Sequence, residues 1–169
     1  MDGNKILIEA AERGYEGEWT LSDGMIGEAV APGPACSPEA GTNYIEGAVG
    51  TKAGALEVAV AEQYAADYAA RFGPSVIPYH MQAYDAVAVI ALAIEAGGKA
   101  TASSIKDNLR NVANPPGIKV TYNEFAKALD LLRQGEEINY QGVSGPVTFD
   151  ENGDIEKGVM EILVIEDCQ

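Results

Sequence analysis

The chain has 169 residues and a formal net charge of −15, from 26 acidic and 11 basic side chains. Nearly half of its residues are apolar, which predicts a folded globule with a real core, and no apolar run reaches the roughly 18 residues that span a bilayer. The negative charge disfavours nucleic acid and anionic membrane surfaces as partners, because both would repel the chain.

The pattern before residue 53 predicts one helix and several short segments. The helix begins at Asn4, a residue that caps helices well, and ends at Gly14. After this helix, the pattern predicts a strand at 18–21, a loop at 22–25, a short helix at 26–30 and an extended stretch at 44–52. Two glycines inside the last stretch favour a linker or crossover strand over a central strand.

Helices dominate the middle of the chain. The apolar periodicity predicts them at 56–72, 79–96, 101–112 and 121–134. The second of these is apolar on nearly all sides, so it should lie between other elements. The best local signal belongs to the fourth, where Thr121 and Glu124 have the spacing of a capping box.

The end of the chain predicts two strands, at 146–149 and 159–165, joined by a hairpin turn at Asn152-Gly153. The predicted strands are too few to form a sheet on which all of the predicted helices could pack. Helices in an α/β domain normally alternate with the strands on which they pack. The sequence therefore predicts an α/β fold whose helices lack most of their sheet.

No residue pattern predicts a catalytic centre or a cofactor site. His80 is the only histidine, which excludes a cluster of histidine metal ligands. Ser144 lacks the glycine spacing of a nucleophile elbow, and no phosphate-binding loop occurs. Asp23 and Asp85 would be an acid/base pair only if the fold brought them together, and nothing in the sequence does so. No enzyme activity, metal or cofactor is expected.

The two cysteines, Cys36 and Cys168, match no zinc or redox spacing. Two interpretations stay open, a pair of reduced buried thiols or one disulfide. A bridge would favour an oxidising compartment.

Three stretches, residues 19–25, 83–97 and 142–154, give the sequence a family resemblance. In order and spacing they resemble the type 1 periplasmic binding proteins, specifically the branched-chain amino-acid receptors of ABC transporters. The resemblance implies two α/β lobes, joined by crossovers, that close on a ligand without chemistry. It covers the carboxyl-terminal half of that family, so the fold class expected is type 1 periplasmic-binding-protein-like but incomplete.

The resemblance also implies a division of the chain. The expected parts are a carboxyl-terminal-lobe portion at 1–44 and 147–169, a helical portion of the amino-terminal lobe at 53–142, and interlobe crossovers at 45–52 and 143–146. Helices without their sheet would expose apolar surface. We therefore expect the chain to associate as a homo-oligomer or to pack its helices around a smaller sheet.

The resemblance implies a ligand contact at Asp23, with Ser22 beside it. In the family, an acidic residue of this loop pairs with the α-ammonium of a bound amino acid, and a carboxylate suits that role. The alternative is that Asp23 only forms a turn or caps a helix. His80 and Tyr84 either line the cleft or pack near the start of a helix.

The function implied is capture of a small amino acid or amide and its delivery to a membrane permease. The alternative is a ligand-sensing module of the same fold that regulates a partner. The family implies a periplasmic location for the full-length parent, although the sequence from Met1 has no basic start and no apolar region typical of a signal peptide.

Overall fold

The computed structural model describes residues 2–25, 33–74 and 79–168. The short helix predicted at 26–30 lies outside the described residues. The chain divides into two compact units: the first comprises Met1–Gly54 with Met160–Gln169, and the second comprises Ala55–Val159.

The elements follow one another along the chain in a helix-rich order. They are α1 (Asp2–Glu12), β1 (Thr20–Leu21), β2 (Cys36–Ser37), β3 (Thr42–Asn43), β4 (Val49–Ala53), α2 (Ala59–Phe72), α3 (His80–Gly97), α4 (Ala102–Ala113), β5 (Ile118–Thr121), α5 (Phe125–Arg133), β6 (Ile138–Gln141) and β7 (Met160–Val164). Two 3-10 turns, Asp23–Met25 and Tyr122–Glu124, follow β1 and β5. The predicted capping box of Thr121 and Glu124 is confirmed.

The first unit is built on a three-stranded sheet in the order β1-β4-β7. β1 runs parallel to β4, and β7 runs antiparallel to it. The prediction that residues 44–52 avoid a central strand was therefore wrong. Gly50 is buried, and β4 pairs with a strand on each side despite this glycine.

One face of this sheet contributes to a small core with α1. Its largest members are Leu7, Leu21 and Ile45, all nearly inaccessible to solvent. Asn4, predicted as the cap of α1, lies inside the helix instead. Its side chain is buried and accepts a hydrogen bond from the backbone N–H of Ala35 at 3.3 Å.

Cys36 and Cys168 form a disulfide, with their Cα atoms 5.2 Å apart. The bridge joins the β2–β3 hairpin to the residues that follow β7. Beside it, Glu46 accepts hydrogen bonds from the Asn43 side chain and from the Asp167 backbone, and these bonds hold the pKa of Glu46 below its ordinary value. The carboxyl-terminal segment is thus fixed by one covalent and several polar contacts.

The second unit packs α3, α4 and α5 around two parallel strands, β5 and β6. The sequence predicted neither strand. Both are only four residues long and adjoin turn-forming residues, so they lack the long alternating pattern that identifies a strand. β6 is buried at Ile138, Asn139 and Tyr140, which places it in the centre of this core.

The predicted hairpin between 146–149 and 159–165 was wrong. Residues 146–149 form only isolated bridges, and β7 pairs with β4 through five residue pairs. The turn itself exists, because Asp150 Oδ1 accepts hydrogen bonds from the backbone N–H groups of residues 152, 153 and 154, each at 2.9 Å. A turn signal therefore predicted local geometry but not strand pairing.

The second compact unit ends at Val159. The prediction ended the helical portion at 142, placed a crossover at 143–146 and resumed the carboxyl-terminal-lobe portion at 147. Val147 and Phe149 pack against the second core, and the Asn114 side chain both donates to and accepts from the backbone of Phe149. These contacts place residues 147–159 in the second unit. The assignment of the units to receptor lobes stays a prediction.

Within the described ranges, no single helix is long and apolar enough to cross a bilayer. α3 and α4 reach that length and composition only together, as a pair bent by 104°.

Candidate functional site

The carboxyl edge of the β5–β6 pair collects the chemically distinctive residues of the second unit. Parallel strands end at the same edge of a sheet, and ligands of α/β proteins bind at that edge. Tyr122 directly follows β5, and residues 142–145 directly follow β6. The first turns of α3 meet the same edge, because Asp85 bonds to Val143 and Ser144.

Aromatic side chains form a continuous group beside this edge, which we call the aromatic cluster. Its members are Tyr64, Tyr68, Phe72, His80, Tyr84 and Tyr122. Tyr64 is the buried centre, with its ring centroid 5.0 Å from Tyr84, 5.3 Å from Tyr122 and 5.8 Å from His80, on which it stacks. Such distances are typical of interacting aromatic pairs.

The cluster explains where α2 lies. Tyr64, Tyr68 and Phe72 recur every fourth residue and so lie on one side of the helix. On that side, Tyr64 contacts His80 and Tyr84 of α3, and Tyr68 contacts His80. α2 begins at Ala59 rather than at the predicted residue 56. Just before it, the backbone N–H of Leu56 donates to the Ser144 carbonyl oxygen at 3.0 Å.

Burial raises the pKa of Tyr64, Tyr84 and Tyr122 above the ordinary tyrosine value. The nearby charge of Asp85 adds to this effect for Tyr64 and Tyr84, and Asp67 adds to it for Tyr122. The phenols therefore keep their protons at neutral pH. The cluster offers a ligand apolar ring surface and hydroxyl groups rather than negative charge.

Asp85 is the buried acid at this edge, only 2% exposed. Its Oδ1 accepts hydrogen bonds from the Tyr140 hydroxyl and the Val143 N–H, both at 2.9 Å. Its Oδ2 accepts from the Ser144 N–H at 2.8 Å and from the Ser144 hydroxyl at 2.5 Å. Burial and the Asp85 charge raise the pKa of Tyr140 far above its ordinary value, so that phenol remains a donor.

Residues 142–145, which we call the Asp85 turn, fit closely around this carboxylate. A Cβ added at Gly142 would lie 2.3 Å from Asp85 Oδ2, so only glycine fits there. Gly145 has a φ of +124°, a conformation that favours glycine, and a Cβ there would meet the Leu56 side chain. The chain turns at this point because two glycines bracket the donors.

In the first unit, Ser22 and Asp23 follow the carboxyl end of β1. Asp23 opens a 3-10 turn, is exposed, and accepts a hydrogen bond from the Gly24 N–H at 2.9 Å. The Ser22 carbonyl oxygen accepts from the Met25 N–H at 2.8 Å. Both the turn-forming geometry and an accessible carboxylate are present, so a ligand role for Asp23 and Ser22 stays a prediction.

A groove of about 620 Å³ lies at the opposite, amino edge of β5 and β6, lined in part by residues 114–116 and 135–137. Its polar side chains serve the fold: Asn114 bonds to Phe149, and Arg110 donates to the carbonyl oxygen of Asp150 at 2.6 Å. No group of three potential metal ligands occurs among the residues that the structure describes. The carboxyl edge is the better candidate site.

Sequence reasoning singled out His80 and Tyr84, and the structure brings them together around Tyr64. It missed Tyr64 and Tyr122, because Tyr64 belongs to an ordinary helical stripe and Tyr122 to a capping box. It also left Asp85 without a role. The sequence did contain a signal for Asp85, because it is an acid inside an otherwise apolar helix. An acidic residue in such a place is rarely buried unless it has hydrogen-bond or charged partners.

Comparison with known proteins identifies the class. The profile of the family described as "Receptor family ligand binding region" matches residues 1–167. The chain belongs to this family.

Two individual proteins are similar to the chain. Over 70 residues it is 37% identical to the chemotactic signal transduction system substrate-binding protein BasB of Halobacterium salinarum, a match that covers 41% of the chain and 17% of BasB. The leucine-binding protein LivK of Thermotoga maritima has a similar fold, with a TM-score of 0.58 and 22% identity over 99% of the chain and 39% of LivK. The chain thus spans about two fifths of the length of LivK.

These comparisons confirm the recognition and the fold class predicted from the sequence. The chain belongs to the receptor ligand-binding-region family and has the α/β fold of a type 1 periplasmic binding protein, rich in helix and with short sheets. Both similar proteins are named as binding proteins rather than enzymes.

Proposed function

We propose that the chain is a solute-binding component, or part of one, that captures a small amino acid or amide without chemical change. The observation that carries this proposal is the carboxyl edge of β5 and β6. There, the aromatic cluster and the Asp85 turn both contact the start of α3, in a chain that belongs to a ligand-binding receptor family. In such receptors, two lobes close around the ligand by a hinge motion.

Each unit offers its own candidate ligand contact. In the first unit, Asp23 would pair with the ammonium group of an amino acid, since a carboxylate forms strong charge-assisted hydrogen bonds with a cation. In the second unit, Tyr84 of the aromatic cluster, with His80 nearby, would contact an apolar part of a ligand. We assign the first unit to the carboxyl-terminal lobe and the helical second unit to the amino-terminal lobe, with a periplasmic location for the parent.

Two downstream partners are candidates. An ABC permease would receive the ligand in an uptake system, consistent with the fold of a leucine-binding protein. A chemotaxis transducer is the second candidate, and the 37% identity with BasB specifically favours it. The genes beside that of the parent distinguish them, because an uptake receptor is expected beside permease genes and a sensor beside a transducer gene.

Ligand-dependent stabilisation tests the function. The chain would be heated with each of the 20 amino acids and several amides, and with L-leucine as the first probe. A ligand at about 100 times its Kd stabilises the folded state by about 2.7 kcal/mol, which raises Tm by several degrees. If no amino acid or amide changes Tm, the proposed function does not hold for this chain.

Asp23 is tested on the ligand found in that screen. Asp23→Asn should weaken binding about tenfold or more, because a hydrogen bond to a charged group contributes about 1.5–3 kcal/mol. Asp154→Asn removes an equal charge from an exposed site in the second unit and serves as the matched control. Equal affinity of Asp23→Asn and the control would remove Asp23 from the site.

We also propose that this chain self-associates through the outer face of β4 and β7. Paired residues of the two strands share this face, which carries no charged side chain: Val49 with Val164, Thr51 with Ile162, and Ala53 with Met160. Met160 and Ile162 are 65% and 71% exposed. An antiparallel sheet normally turns polar side chains to water, so an apolar outer face favours a partner.

Light scattering of dilute chain tests this association. We expect a dimer that Ile162→Lys dissociates, since the substitution places a charge at the centre of the face. Val87→Lys, at an equally exposed position on α3, is the control and should leave the dimer intact. A monomeric parent chain, or a dimer that survives Ile162→Lys, contradicts the proposal.

A further inference from the structure

Asp85 is almost fully buried, with 2% of its surface exposed, and lies at the candidate edge. Four donors converge on its two oxygens, and all four belong to β6 or to the turn that follows it. A helix of this apolar character needs no acid for packing, because Val89, Leu92 and Ala93 already fill the core. The carboxylate therefore has a directional task that an apolar side chain could not perform.

The donor set defines that task. Two of the donors are backbone N–H groups, of Val143 and Ser144, which cannot rotate to become acceptors. The other two donors are the hydroxyl groups of Tyr140 and Ser144. A side chain that satisfies all four donors needs two terminal atoms that both accept hydrogen bonds, and a carboxylate has two such oxygens. The shape of the Asp85 turn thus depends on the acid and not merely on a side chain of that size.

The same acid is coupled to the aromatic cluster through the helix. Tyr84 precedes Asp85 on α3 and contacts both Tyr64 and Tyr122. Because successive helical residues point about 100° apart, anchoring Asp85 to β6 fixes the rotation of α3 that directs Tyr84 into the cluster. The turn also holds Leu56, through the bond from its N–H to the Ser144 carbonyl oxygen, at the start of the segment that leads into α2.

We propose that Asp85 is the positioning residue of the ligand site: its carboxylate fixes the Asp85 turn and the rotation of α3 so that Tyr84 and the backbone after β6 present one ligand surface. This inference rests on the proposed function for the identity of the ligand. Its structural part, the positioning of the cluster by the acid, is testable without a ligand.

The test compares Asp85→Asn with Val112→Ala. Asparagine keeps the shape of aspartate, but its NH₂ group faces a backbone N–H in either orientation, so one bond of the turn is lost. Val112 is fully buried in the same core, on α4, and donates nothing to the turn. Its truncation lowers Tm through a cavity, and therefore controls for loss of stability alone.

Two measurements separate positioning from stability. For the ligand identified in the screen, Asp85→Asn should weaken binding about tenfold or more at a temperature where both variants are folded, whereas Val112→Ala should bind like the parent chain. In ligand-free NMR spectra, Asp85→Asn should shift the ring signals of Tyr84 and Tyr122 and speed amide exchange at Val143 and Ser144. Val112→Ala should leave those signals in place.

Each outcome decides one of the two claims. If both variants lose affinity in proportion to their loss of Tm, or if the Tyr84, Tyr122, Val143 and Ser144 signals are unchanged in Asp85→Asn, Asp85 is only a stabilising residue and the inference is overturned. If the parent chain binds no amino acid or amide, the proposed function fails, and the NMR comparison alone still decides whether Asp85 positions the cluster.

Discussion

Single residues at the carboxyl edge show how closely the second unit is packed. A Cβ added at Gly142 would collide with neighbouring atoms, whereas a Cβ added at Gly158 would have no atom within 4 Å. The two glycines thus form a natural pair for comparison, one required by its surroundings and one free of them.

Gly142→Ala should lower the free energy of unfolding by about 2–4 kcal/mol, because the new methyl group collides with the Asp85 carboxylate and with the carbonyl oxygen of Gly145. Gly158→Ala should change it by less than about 0.5 kcal/mol. Urea unfolding of both variants measures the difference. Equal stability of the two variants would show that the turn is looser than described.

Asp150 gives the stability of the chain a component that depends on pH. Several backbone N–H groups donate hydrogen bonds to the Asp150 carboxylate and hold its pKa below the ordinary value of 3.8. The bond from the Asp154 N–H has the largest effect. The pKa of Asp150 is lower in the folded chain than in the unfolded chain. Its hydrogen bonds therefore stabilise the fold above the pKa of the unfolded state, and this stabilisation is lost as pH falls through the pKa of the folded state.

Asp150→Asn should therefore reduce stability near neutral pH and flatten the loss of stability below about pH 4. Thermal unfolding between pH 2 and 7 measures this, and NMR titration of the Asp150 carboxyl gives its pKa directly. A titration at or above 3.8 would contradict the assigned hydrogen bonds.

The secondary-structure elements differ in how far the sequence predicted them. The long helices α2, α3 and α4 were predicted to within three residues at each end, because apolar residues at helical spacing and a terminating glycine or asparagine mark them. β5 and β6 were missed, since four residues contain too few alternations. The site depends on those two short strands, so the sequence could name His80 and Tyr84 but not the edge that assembles them.

The sequence also failed to predict which strands pair, because the paired strands are far apart along the chain. β7 pairs with β4 across more than 100 residues, while a local Asn-Gly turn suggested a nearer partner. Local signals predict turns and caps, as at Thr121, but tertiary contacts decide which strands meet.

The disulfide joins elements separated by 132 residues and should contribute strongly to the first unit. The chain-entropy estimate for so long a loop is roughly 5 kcal/mol, an upper figure. Reduction, or Cys36→Ser with Cys168→Ser, should lower Tm by many degrees. The double variant should then be insensitive to reductant, and an unchanged Tm after reduction of the parent chain would contradict a stabilising bridge.

The charge of the whole chain should make its stability salt-dependent. A net charge of −15 repels itself in the compact state, and added salt screens that repulsion. We expect Tm to rise between 0.05 and 1 M KCl by about 5 °C or more. Falling Tm over this range would show that favourable ion pairs, such as Arg133 with Glu95, outweigh the general repulsion.

The central claim is that the carboxyl edge of β5 and β6, with its aromatic cluster, is the ligand surface of the second unit. The most direct test is NMR titration of the labelled chain with the amino acid or amide that stabilises it, starting with L-leucine. The account predicts saturable shifts concentrated at His80, Tyr84, Tyr122 and the Asp85 turn. Shifts confined to the amino-edge groove around Asn111 and Glu136, with these residues unchanged, would contradict it.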